Sequence, residues 1–138
     1  MYPQTHFAFG LLFIILLGIF TPLSPLALFI VFASSILIDV DHWLVYVKEN
    51  KDFSIKRSYQ WFVNNIQKHK KQGKQFLCVF HTIEFFIIMF ILSFFSQVIF
   101  YITVGCSFHL LLDLIYTYVY KEESRKPLSI ISWLFFRK

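Results

Sequence analysis

Lysine and arginine are absent from residues 1–47 and 75–120 of this 138-residue chain; all thirteen lie between 48 and 75 or after Tyr120. An acid inside either stretch therefore has no ammonium or guanidinium from the same segment to pair with. Charge of any sign is sparse, at 15% of residues against the roughly one quarter usual for a soluble domain. With 57% hydrophobic residues, 21% aromatic and a mean hydropathy of +0.62, the chain reads as a single integral membrane domain over 1–138. Paired thiols are also missing, which argues against a structural Cys-zinc site. Cys78 and Cys106, the two cysteines, fall on different helices at different depths, so they read as small packing residues and not as a bridge. The first apolar run has neither a positive start nor a small-residue cleavage site and does not read as a signal peptide.

The apolar stretches instead carry His6, Asp39, Asp41, His42, His81, Glu84, His109 and Asp113. An acid at the centre of a membrane helix costs roughly 2.5–3.5 kcal/mol on insertion scales and is rarely kept without a function and a partner. With no basic residue in these stretches, that partner is expected to be a metal cation or a set of protons.

Four membrane helices are predicted, over about 3–20, 26–47, 76–95 and 98–120. Pro3 suits a first helical turn, and Pro22 with Pro25 forces a break after Phe20. The short connections Thr21 to Pro25 and Ser96 to Gln97 predict antiparallel hairpins. Eight of the thirteen basic residues lie in the 48–75 loop and five in the tail 121–138. The loop and both termini are therefore expected on the cytoplasmic side of the cell's inner membrane.

That topology places the polar residues in depth. At 1.5 Å per residue His42, His81 and Asp113 lie roughly 8–10 Å inside the cytoplasmic boundary, Asp39 and Glu84 roughly 12 Å, and His109 roughly 16 Å, with His6 near the start of the first helix. Asp39 and His42 are three residues apart, His81 and Glu84 three, and His109 and Asp113 four, spacings that put each pair on one helical face. Imidazole plus carboxylate suits Zn, Mn or Fe, one or two ions. Asp41 is about 100° round the helix from His42, which makes it either a ligand where the helix loosens or a carboxylate that orients an imidazole.

Thr5, His6 and Gly10, then Asp39, Val40, Asp41 and His42, then Phe80, His81 and Thr82, then His109 and Asp113, follow one another in an order that resembles the LexA-regulated, membrane-bound, metal-dependent hydrolases of bacteria and archaea. The resemblance covers nearly the whole chain. That family is distantly similar to zinc-dependent phospholipase C, which implies phosphoester hydrolysis of a lipid-linked or headgroup phosphate. His6, Asp39, His42, His81, Glu84, His109 and Asp113 are the expected metal ligands, with Asp39 or Asp41 as general base. Glu84 stands where the family commonly has a further histidine and is expected as an auxiliary ligand.

Between the second and third spans, Ile55, Tyr59, Phe62, Val63 and Ile66 recur at helical spacing, with Lys56, Arg57 and Lys68 off the stripe and Gly73 as a stop. An amphipathic helix on the bilayer surface is expected, touching anionic lipid headgroups. Leu128, Ile131, Trp133, Leu134 and Phe135 form a second surface segment after Pro127. His69 reads as an exposed residue of a basic cluster. No nucleic-acid motif accompanies the charge, so membrane lipid is the expected partner. The fold class is all-α, an integral membrane four-helix bundle with an interfacial helix. Two alternatives to the hydrolase stay open, a di-iron oxidase and a metal-ion or proton carrier.

Overall fold

The computed structural model describes the backbone of residues 3–72, 76–119 and 128–136. The side chains of Ile66, Lys68 and His69, along with Gly73, Pro127 and most of the tail, lie outside the described residues. Among those described the chain is all-helical, with no strand. Seven α-helices follow in order: α1 Pro3–Phe20, α2 Pro25–Leu37, α3 Val40–Asn50, α4 Ile55–Gln72, α5 Ile83–Ser93, α6 Gln97–Val119 and α7 Ile130–Phe136.

The helices begin and end where backbone chemistry requires. Thr21 closes α1 with its N–H and its hydroxyl both on the Leu17 carbonyl, at 2.8 and 2.6 Å. Pro22 offers no N–H to continue. Ser24 then caps α2 by accepting from the Ala27 N–H at 3.2 Å, with Pro25 in the first turn. The predicted second span is interrupted at Ile38 and Asp39, where the His42 N–H reaches the Asp39 carbonyl at 3.1 Å in a tightened turn, and it runs on to Asn50. Lys51, left-handed at φ 55°, ends α3.

The third predicted span starts differently from expectation. Cys78 is extended, Val79–His81 is a single 3₁₀ turn, and Thr82 at φ −95° and ψ 150° breaks the chain before α5 begins at Ile83. His81 and Glu84 thus do not share a helical face, because the residue next to His81 is extended. The Thr82 hydroxyl donates to the Val79 carbonyl at 2.7 Å, which holds the turn and satisfies a fully buried polar side chain.

Among the described residues two helical stretches are long and apolar enough to cross a membrane, Pro25–Asn50 at 26 residues and Gln97–Val119 at 23. At 1.5 Å per residue these reach about 39 and 35 Å, against about 30 Å of hydrocarbon. α1 and α5 are shorter apolar helices.

The chain forms two compact units, Met1–Ile38 with Phe85–Glu123, and Asp39–Glu84 with Ser124–Lys138. In the first, α2 and α6 pack with almost no side chain between them. A Cβ added at Gly105 would lie 2.2 Å from the Val31 carbonyl oxygen and 2.1 Å from the Ser34 hydroxyl. Ser34 and Ser35 sit buried because their hydroxyls donate back to the Val31 and Phe32 carbonyls, at 3.0 and 2.8 Å. Small residues that let helix backbones meet are the usual means of association in lipid, where apolar burial alone provides little drive. Phe13 stacks on Phe108 at 4.0 Å, joining α1 to α6, and the Thr103 hydroxyl reaches the Met89 carbonyl of α5 at 3.3 Å.

In the second unit α4 is the expected amphipathic helix, and of its apolar stripe Phe62 turns inward while Ile55, Tyr59 and Val63 stay exposed. Ser58 is buried, Trp61 meets Tyr46, and Phe62 meets His42 and Phe76. Ser54 caps α4 by accepting from the Arg57 N–H at 3.3 Å. The Arg57 guanidinium grips Asp52 with two bonds of 2.6 and 2.7 Å and holds that carboxyl well below the usual carboxylate range.

Gly105→Ala is expected to destabilise the protein by about 1–3 kcal/mol, since the new methyl meets backbone that cannot yield cheaply. Gly10→Ala, whose nearest atom is the Ser35 hydroxyl at 3.0 Å, should be milder. Thermal unfolding in detergent checks the order; equal midpoints would contradict it.

Candidate metal centre

The first unit gathers three of the predicted ligands. His6 comes from the first turns of α1, and His109 and Asp113 from one face of α6. His6 and His109 stack, with ring centroids 3.8 Å apart and planes inclined by 10°. His6 Nε2 lies 3.2 Å from Asp113 Oδ1, and His109 Nε2 lies 3.8 Å from Asp113 Oδ2. His6 is 3% exposed and His109 fully buried. The Ser35 carbonyl lies 2.7 Å from His109 Nδ1. A carbonyl accepts, so Nδ1 carries a proton, which makes Nε2, facing Asp113, the ring nitrogen that could ligate. On His6 the Nε2–H donates to Asp113, and the buried Nδ1 has no hydrogen-bond partner among the described residues.

The second unit gathers Asp39, Asp41, His42 and His81. Asp39 precedes α3, Asp41 and His42 lie in its first turn, and His81 ends the 3₁₀ turn. His42 Nδ1 is 2.7 Å from Asp41 Oδ1 and 3.4 Å from Asp39 Oδ1. His81 Nδ1 is 3.0 Å from Asp41 Oδ2, and His81 Nε2 is 3.6 Å from Asp39 Oδ1. The Phe80 N–H donates to Asp41 Oδ2 at 3.1 Å. The Asp39 side chain is 34% exposed and that of Asp41 only 6%. Asp39, His42 and His81 each offer a ligand atom within 4.8 Å of the others, and so do Asp41, His42 and Cys78. Buried histidine and aspartate groups of this kind can hold a metal ion.

Glu84 is placed otherwise. Its oxygens accept from the Ser129 hydroxyl at 2.6 Å and from the Ile130 and Ile131 N–H groups at 3.0 and 3.2 Å. Nearby, the Ile83 N–H donates to the Leu128 carbonyl at 2.8 Å. The charge of Glu84 is met by the opening turn of α7, whose first N–H groups have no helical partner of their own. It is not part of the Asp39, His42 and His81 group.

Sequence reasoning did not find Ser35, whose carbonyl fixes the His109 tautomer, nor Ser129, the partner of Glu84. The run Ala33, Ser34 and Ser35 in an otherwise large-residue helix, matched by Gly105 and Cys106, was the available signal for a close helix contact. A contact across 45 residues such as Ser129 to Glu84 leaves no such mark.

A family model described as the YdjM inner membrane protein matches residues 1–121. The chain belongs to that family and is an inner-membrane protein. No curated protein and no solved structure matches it.

Glu84→Ala is expected to release α7, seen as faster amide exchange at 130–136, while leaving any metal content unchanged. A fall in metal content instead would make Glu84 a ligand.

Proposed function

We propose that this member of the YdjM inner membrane protein family is a metal-dependent hydrolase acting on a phosphoester, a lipid-linked or headgroup phosphate reached from the cytoplasmic leaflet. The observation that carries the reading is the spacing of facing acceptors. His109 Nε2, its tautomer set by the Ser35 carbonyl, looks at Asp113 across 3.8 Å, and His81 Nε2 looks at Asp39 across 3.6 Å. Both gaps exceed the roughly 2.7–3.2 Å of a nitrogen–oxygen hydrogen bond. Two ligands of a tetrahedral ion with bonds of about 2.0–2.2 Å stand about 3.3–3.6 Å apart, so small shifts bring both pairs onto a metal. His6 Nε2, 3.2 Å from Asp113 Oδ1, is the further ligand atom on this side.

In this reading divalent metal, zinc first and manganese or iron next, is held by His6, His109 and Asp113 and by Asp39, His42 and His81. A bound ion supplies Lewis acidity and lowers the pKa of a water to about 7. Asp39, the more exposed of the two aspartates at the start of α3, would serve as general base. Asp41 is occupied by the imidazoles and the Phe80 N–H.

The same proposal keeps four spans with both termini cytoplasmic, supported by the basic residues of 48–75 and 121–138. The third span would run from Phe76 through α5 with an unwound start. Non-helical backbone at membrane depth is tolerated where protein surrounds it, and here it carries His81. The exposed Ile55, Tyr59 and Val63 of α4, beside Lys56 and Arg57, suit the headgroup layer of anionic lipid. The sequence resemblance to LexA-regulated hydrolases supports the chemistry.

Detergent-purified protein is expected to contain a transition metal and to turn over phosphatase or phospholipase substrates, and His109→Ala with Asp113→Ala should lower both by at least about tenfold. Metal-loaded protein with no turnover above that double variant would refute the hydrolase reading.

A further inference from the structure

We infer that Asp41 is a positioning residue that fixes two imidazoles at once, and that it is neither the general base nor a metal ligand. Its oxygens face His42 Nδ1 at 2.7 Å and His81 Nδ1 at 3.0 Å, and the second oxygen also takes the Phe80 N–H at 3.1 Å. An ionised carboxylate accepts and does not donate, so each facing ring nitrogen must carry its proton. Both histidines thereby carry a proton on Nδ1, which leaves Nε2 as the nitrogen that presents a lone pair in the neutral ring. The two rings come from separate elements, His42 from the first turn of α3 and His81 from the 3₁₀ turn, and stand nearly perpendicular at 82° with centroids 4.9 Å apart. One side chain sets the angle between them.

The Phe80 N–H explains why the chain unwinds before α5. A helix continued back through Phe80 would commit that N–H to a carbonyl four residues earlier. In the 3₁₀ turn it is free to point at Asp41, which draws His81 alongside. The local break that cost His81 and Glu84 their common face is thus the means by which His81 meets its carboxylate. Carboxylates that hold the far nitrogen of a ligating imidazole are common around metals, and removing one typically costs about 10–100-fold in affinity. Sharing one between two rings makes them a coupled pair.

This inference rests on the proposed metal reading only for its effect on affinity; the tautomers are a property of the apo protein. In ¹⁵N-histidine-labelled protein in detergent without metal, assigned with His42→Gln and His81→Gln, both rings should show a protonated Nδ1 and a bare Nε2. Asp41→Asn retains one acceptor oxygen but turns an NH₂ toward the other ring, so one histidine should switch tautomer. Its Zn affinity should fall about 10–100-fold at unchanged stoichiometry, with Asp41→Glu recovering part of the loss. Unchanged tautomers in Asp41→Asn would overturn the inference, and so would loss of a whole metal equivalent, which would make Asp41 a ligand. If the unaltered protein takes up no metal, the hydrolase reading falls while the tautomers still decide the role of Asp41.

Discussion

An imidazole nitrogen and a carboxylate oxygen that face one another in an apolar medium need a proton or a metal cation between them. His81 Nε2 lies 3.6 Å from Asp39 and His109 Nε2 3.8 Å from Asp113, and in each ring the other nitrogen faces a fixed acceptor, Asp41 or the Ser35 carbonyl. A protein of the inner membrane has little water to offer these groups, and desolvated charge without compensation is costly. A metal ion, which these histidine and aspartate groups could hold, would meet that cost and would account for keeping acids in segments that carry no lysine or arginine.

The packing serves that constraint. Gly105 brings α6 against α2 closely enough for His109 to reach the Ser35 carbonyl, and this contact fixes which nitrogen of the ring is available. The stacked rings of His6 and His109 then place two imidazoles over a single carboxylate. In the other unit the tightened turn at Asp39 and the 3₁₀ turn at His81 bring polar residues out of regular helix, where their backbone and side-chain groups can be satisfied locally. Departures from regular helix coincide with the chemistry, as expected where function competes with local preference.

Much of this was legible because apolar runs with proline punctuation determine helices almost by themselves. α1, α4 and α6 lie within a residue or so of where hydropathy and proline put them. His109 with Asp113 was readable from a spacing of four, since both stand on one uninterrupted helix. His81 with Glu84 was not readable from a spacing of three. A hydrogen bond to Asp41 from 39 residues away decides the backbone at Phe80, and periodicity carries no trace of it. Glu84 looked like a ligand by residue type, whereas the turn that opens α7 takes its charge. The apolar stripe of α4 was legible from its spacing, but that Trp61 and Phe62 turn toward Tyr46, His42 and Phe76 was not.

X-ray absorption at the edge of whatever metal accompanies the purified protein bears most directly on the facing acceptors. The account predicts a first shell of nitrogen and oxygen at about 2.0–2.2 Å, with the outer-shell signature of imidazole and no sulfur. A protein that carries no metal, or a shell of oxygen alone without imidazole, would contradict it.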